Sequence, residues 1–121
     1  MGKSYTELEA WKSSRELVKI IYDVTAKFPR EEMFGLTSQM RRAAVSIPSN
    51  IAEGIGRNTT KDTIQFLYIS RGSSYELETQ SYLGFDLNYL QQSEIEQMQS
   101  NITHCKKLLN GLINYYQTKL Q

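Results

Sequence analysis

The sequence predicts an all-α fold, an antiparallel up-down-up-down four-helix bundle whose second helix is kinked at Pro48. Three observations carry this. Apolar residues recur at steps of three and four through most of the chain. No window shows sustained Val/Ile/Thr alternation. Only two prolines and seven glycines interrupt 121 residues. Residues 1–121 read as one domain, long enough for a single modest core but thin in stability unless neighbouring subunits add buried area.

The first helix is expected over residues 5–28. Ser4 and Glu7, three apart, can satisfy each other's orphan amides at its start, and Pro29 stops it. Leu8, Trp11, Val18, Ile21, Thr25 and Phe28 share one face. Pro29 to Leu36 read as a loop, and Thr37 as the cap of a second helix over 37–56. Its apolar face is Met40, Ala43, Ala44, Ile47, Ile51 and Ile55, and Gly54 and Gly56 end it. Thr59 with Asp62 opens a third helix over 60–90, and Ser93 with Glu96 caps a fourth over 94–119. That fourth helix carries Ile95, Met98, Ile102, Cys105, Leu109, Leu112 and Tyr116 at the seam spacing of shallow-angle packing.

Pro48 stands inside the second helix. Its ring removes one backbone hydrogen bond and crowds the Ala44 carbonyl, at a cost of about 3 kcal/mol unless the bend serves packing. Periodicity carries the helix through it, because Met40, Ala43, Ile47, Ile51 and Ile55 keep one face on both sides. Arg42, Ser46, Ser49, Glu53 and Arg57 then form a second stripe, flanked by Asn50. The stripe reads either as a solvated face, with Glu53 and Arg57 an ordinary pair four apart, or as a polar seam against another helix. In the second case Asn50 or Ser46 satisfies the carbonyl that the proline frees.

The third helix is apolar on too many sides. Phe66, Ser70, Ser73, Ser81 and Gly84 lie near Leu77, and roughly opposite lie Ile64 with Tyr68, Tyr75, Tyr82 and Tyr89, spaced seven apart. Four tyrosines at about 150–250 Å² each exceed the patch a soluble monomer leaves open, which points to an oligomer interface. Half-exposed bundle tyrosines and a stacking platform for single-stranded nucleic acid are the other two readings. Gly72, within a run of small residues, predicts close helix contact.

Charge and chemistry narrow the function. Fourteen Lys and Arg against 13 Asp and Glu give no global pull toward nucleic acid or acidic membranes. Locally, residues 41–71 hold Arg41, Arg42, Arg57, Lys61 and Arg71 against Glu53 and Asp62, whereas residues 76–96 hold five carboxylates and no Lys or Arg. The basic part can meet phosphate near the second-to-third helix turn, at Arg57 and Lys61, but the same asymmetry suits subunit pairing. His104 and Cys105 sit about 100° apart around their helix and do not share a ligand, and Glu76 and Glu78, about 200° apart, make no acid/base pair. Gly54-Ile55-Gly56-Arg57 lacks the strand and the Lys-Ser/Thr of a phosphate loop. The expectation is a non-enzymatic protein without metal or cofactor. One cysteine, no leader pattern and no apolar run near 18 residues predict a soluble, cytoplasmic chain with no membrane partner.

Trp11, Tyr22, the Phe28-Pro29 stop, Phe34-Gly35-Leu36-Thr37, Gln39, Arg41-Arg42-Ala43, the run Ser46 to Gly54, Gly56-Arg57 and the run Gly72 to Gln80 resemble the four-helix-bundle family of 23S rRNA intervening-sequence proteins over nearly the whole chain. The resemblance implies a ring-like homopentamer with no known catalytic activity. A related group, the accessory proteins of diversity-generating retroelements, shares the fold and binds a reverse transcriptase and nucleic acid through a basic surface. A nucleic acid or a nucleic-acid-processing protein is therefore an implied partner. On that resemblance the stripe becomes a structural polar seam of Arg42, Ser46, Asn50 and Glu53, with Arg42 or Asn50 meeting Glu76 or Glu78 of the third helix. The tyrosine stripe becomes the subunit interface. The expected function is a homo-oligomeric, pentameric scaffold or accessory protein. The alternative is an RNA- or DNA-binding module using a basic rim around Arg57 and Lys61, with Arg41 and Arg71 as further contacts.

Overall fold

The computed structural model describes residues 4–120. Helical periodicity is realised as four helices, α1 (Glu9–Thr25), α2 (Leu36–Ile55), α3 (Thr60–Asp86) and α4 (Gln92–Thr118), with 3-10 turns at Tyr5–Glu7 and Arg30–Glu32 and no strand among the described residues. Each helix packs on its sequence neighbours, and α1 closes the square on α4. Bonds between the helices fix their directions. Along α2 from Ser46 to Gly54 the partners on α3 run backwards, from Ser73 through Ser70 to Thr63. Along α3 from Tyr68 to Glu78 the partners on α4 run from Gln117 through Asn110 to Lys106. Lys27 at the end of α1 reaches Glu94 at the start of α4. Adjacent helices are therefore antiparallel. The core they enclose includes Leu17, Ile21, Met40, Ile47, Ile51, Leu67, Leu77, Met98, Ile102 and Leu109, each with almost no exposed surface.

The helix ends differ from the sequence expectation, each for a local reason. Ser4 and Glu7 form no reciprocal box: Ser4 Oγ accepts from the Thr6 amide at 3.3 Å and caps only the 3-10 turn, after which extended Leu8 starts α1. Trp11 and Val18 are only partly buried, and the buried face is Ala10, Ser14, Leu17, Ile21 and Val24. The helix stops at Thr25 rather than Phe28, because Pro29 disfavours helical backbone just before it and the chain leaves through 3-10 bonds from Lys27 and Phe28 to the Val24 and Thr25 carbonyls. Thr37 is not a cap. It is buried within the first turn of α2, and Glu32 Oε1 takes the Leu36 amide at 3.0 Å in its place.

Thr59 does cap α3, accepting from the Asp62 amide at 3.1 Å. The helix ends at Asp86, not Leu90. Asn88 adopts φ 67°, its amide bonds Phe85 O, and the Tyr89 amide returns to Gly84 O at 2.9 Å. This is a left-handed stop that asparagine tolerates. The cap of α4 lies two residues before Ser93: Glu94 Oε1 accepts from the Gln91 amide at 2.9 Å, and Glu96 instead accepts from Gln92 Nε2. Cys105 is fully buried on α4, and burial pushes its thiol up to about 11 against a partly offsetting hydrogen bond from Ser13.

The second helix continues through Pro48 with its apolar face in register, Ile47 and Ile51 both fully buried. Side-chain bonds near the proline go to carbonyls other than Ala44. Asn50 Nδ2 donates to the Ser46 carbonyl and Ser46 Oγ at 2.8 Å each, and buried Ser70 Oγ donates to Ile47 O at 2.8 Å.

Candidate functional site

The α2/α3 contact is a seam of small residues and hydroxyls. Ser73 Oγ donates to Ser46 Oγ at 2.8 Å, Thr63 Oγ1 donates to Gly54 O at 2.7 Å, and a Cβ on Gly54 would lie 2.8 Å from Phe66 Cβ. Ser46 thus belongs to the seam, and Asn50 adjoins it only by donating to Ser46 of its own helix, whereas the charged members do not join it. Arg42 is exposed and contacts neither Glu76 nor Glu78. Glu53 pairs with Arg57 on the surface at 2.7 Å, four residues on. Glu76 is exposed, accepting only a long 3.4 Å bond from Gln80. Glu78 turns the other way, to Lys106 of α4 at 3.0 Å, with the two side chains only 26% and 14% exposed. The physical reason is helical phase: two positions apart on α3 means opposite neighbours.

The tyrosine stripe also divides. Tyr68 packs on the core and accepts from Gln117 Nε2 at 2.6 Å. Tyr89 packs on Phe28, with ring centroids 5.2 Å apart, and donates to Glu32 Oε2 at 2.9 Å. Those two tyrosines are used within the chain. Tyr75 and Tyr82 stand 51% and 53% exposed, Tyr75 under the Lys106 ammonium at 4.2 Å from the ring centroid. Gly72 faces outward with nothing within 4 Å of an added Cβ, so within this chain it makes no close helix contact.

The four cations proposed for nucleic acid are not gathered on one surface. Arg41 lies near the start of α2 and Arg57 just past its end, so about 21 Å of helix separates them. The Arg41 guanidinium is laid over Tyr22 while Nε donates to Thr25 Oγ1 at 2.9 Å. Arg71 bonds Asn110 and stacks on Tyr68, and Arg57, paired with Glu53, stacks on Phe66. Lys61 is exposed at the start of α3.

Two clefts were not visible in the sequence. The first, about 540 Å³, runs between α1 and α2 and is lined by Tyr22, Met33, Phe34, Arg41, Arg42 and Val45. Phe34 on its lip is 94% exposed. The second, about 420 Å³, lies between the end of α3 and the start of α4, lined by Tyr82, Phe85, Asp86, Ile95 and Glu96. Among the described residues, no group of three or more His, Cys, Asp or Glu is placed to hold a metal ion, and no helix is long and apolar enough to cross a membrane.

Comparison with known proteins agrees with this architecture. A crystal structure of a protein of unknown function from the S23 ribosomal protein family of Bacteroides thetaiotaomicron superposes with a TM-score of 0.78 at 24% identity, covering 87% of this chain and 95% of that one. Nothing among curated proteins matches the chain. Neither that structure's description nor the family's names a reaction. Residues 6–111 match the family described as 23S rRNA-intervening sequence protein, and with nearly all of the bundle inside that match, the chain belongs to this family.

Proposed function

We propose that the protein is a cytoplasmic, non-enzymatic, homo-oligomeric scaffold or accessory subunit built from five copies. The observation that supports this reading is the set of large apolar side chains open to water: Phe34 is almost wholly exposed, and Ile69, Tyr75, Tyr82, Leu83 and Leu87 are about half exposed. Soluble monomers rarely leave contiguous apolar patches larger than a few hundred Å². The subunit number comes from the family resemblance. Light scattering of the purified chain is the test. Five chains of 14.0 kDa give about 70 kDa, and a 14.0 kDa species at every concentration overturns the reading.

RNA or DNA binding through Arg57 and Lys61 is the competing reading. It is supported by Lys61, which is exposed and joins no ion pair among the described residues, lying just across the α2–α3 turn from Arg57. Gel shifts over a salt series decide it: phosphate contacts strengthen as salt falls, so no retardation at about 50 mM salt excludes it.

A further inference from the structure

The geometry points to a lateral, head-to-tail contact between copies of this chain, in which Phe34 of one copy enters the α3/α4 cleft of the next. The inference rests on the assembly reading above and assigns its surface. Phe34 is not a side chain that happens to point outward. Its turn is closed by backbone bonds from Glu32 to Pro29, Met33 to Arg30 and Gly35 to Glu32. The Glu32 carboxylate then fixes the turn by accepting from the Leu36 amide at 3.0 Å and the Tyr89 hydroxyl at 2.9 Å. The backbone that carries the apolar ring is thereby fixed while the ring itself stands in water, which lowers the ordering cost of using it as an interface anchor.

The receiving cleft has matching chemistry. It is lined by the apolar Tyr82, Phe85 and Ile95 and by the carboxylates Asp86 and Glu96, within a stretch of 21 residues that holds no Lys or Arg. Beside Phe34 stand Arg41 and Arg42, and neither takes part in an ion pair among the described residues. An aromatic ring flanked by arginines thus faces an apolar slot flanked by carboxylates.

The position of the two features sets the symmetry. In the square of helices the α1/α2 edge and the α3/α4 edge are opposite faces. Both features sit at the same end of the bundle, where Lys27 meets Glu94 and Tyr89 meets Glu32. A second copy therefore engages by moving sideways, one face onto the opposite face. Such a heterologous contact repeats from copy to copy and closes into a ring when its rotation divides the circle. A twofold pairing of Phe34 with Phe34 would instead bring Arg41 and Arg42 against their own likeness, which is repulsive.

Sedimentation velocity on the full chain tests this, with circular dichroism to establish that each variant is folded. Phe34→Ala is expected to weaken association at least about tenfold. Arg42→Glu and Glu96→Arg are each expected to weaken it, and the double variant to recover to within about threefold of wild type. Oxidation of the Phe34→Cys/Tyr82→Cys double variant is expected to give a ladder of linked chains beyond the dimer, while Phe34→Cys alone gives no linked dimer. If wild type assembles but the Phe34 and charge variants assemble equally well, this contact is wrong and the assembly reading stands. If Phe34→Cys alone links in pairs, the head-to-tail arrangement is wrong. If wild type remains a single chain at the highest concentration reached, the assembly reading fails and takes this contact with it.

Discussion

Gly54 and Gly72 look alike in the sequence, each inside a helix, yet only one needs to be glycine. An added Cβ at Gly54 would lie 2.8 Å from Phe66 Cβ and 3.2 Å from the Thr63 carbonyl oxygen, both on well-packed α3. At Gly72 it would meet nothing within 4 Å. Gly54→Ala is therefore expected to destabilise the chain by about 1–3 kcal/mol through overpacking. Gly72→Ala is expected to stabilise it by about 0.5–1 kcal/mol by improving helix propensity. Urea midpoints of the two variants check both signs. The sequence shows where the glycines are, but which neighbour each one meets depends on the crossing of α2 over α3. Phe34 illustrates the same limit. Its residue type predicts burial, and only the bonded turn around Glu32 reveals that it is displayed.

At the scale of the elements, α3 is the helix that works on two sides. Ser70, Ser73 and Thr63 bond α2, while Tyr68, Arg71 and Glu78 bond α4. That α3 uses a second face was legible in its apolar residues, since no single face accounts for Leu77 and the tyrosines together, but that face was expected between subunits and Tyr68 and Tyr89 instead use it within the chain. The division of its polar residues was not. Glu76 and Glu78 are two apart, so one meets solvent while the other meets Lys106, and choosing between them requires knowing where α4 lies. Glu78→Ala is expected to cost about 1–3 kcal/mol, between the values for exposed and buried pairs, because it strands the largely buried Lys106 ammonium. Glu76→Ala is expected to stay within about 0.5 kcal/mol of wild type. Chemical denaturation of the two variants side by side separates them. The helix ends were also partly hidden, because the stop of α3 depends on the left-handed backbone at Asn88 and the start of α2 on a carboxylate four residues upstream.

In the whole molecule, one end of the bundle is tied by two carboxylates, Glu32 and Glu94. Glu32 holds the Leu36 amide and the Tyr89 hydroxyl, and these bonds lower its carboxyl below the ordinary 4.5. Glu94 is lowered in the same direction, first by the Gln91 amide and then by Lys27. Each carboxylate is more acidic folded than unfolded. Its contribution is therefore complete above the unfolded value and disappears as pH falls through the lower folded value. Thermal midpoints are expected to hold from pH 7 to about 5 and to decline below about pH 4.5, with Glu32→Gln and Glu94→Gln flattening the decline. The hydroxyl of Tyr89 is raised by the same Glu32 contact, so its share is lost only as pH climbs above the ordinary 10.0.

The buried sulfur on α4 gives the molecule a native reporter of its own opening. With its thiol held near 11 and no surface exposed, Cys105 offers an alkylating reagent almost no thiolate while the bundle is closed. The rate at which it acquires a label therefore follows how often α1 and α4 part, a clock that runs without any added dye or engineered site.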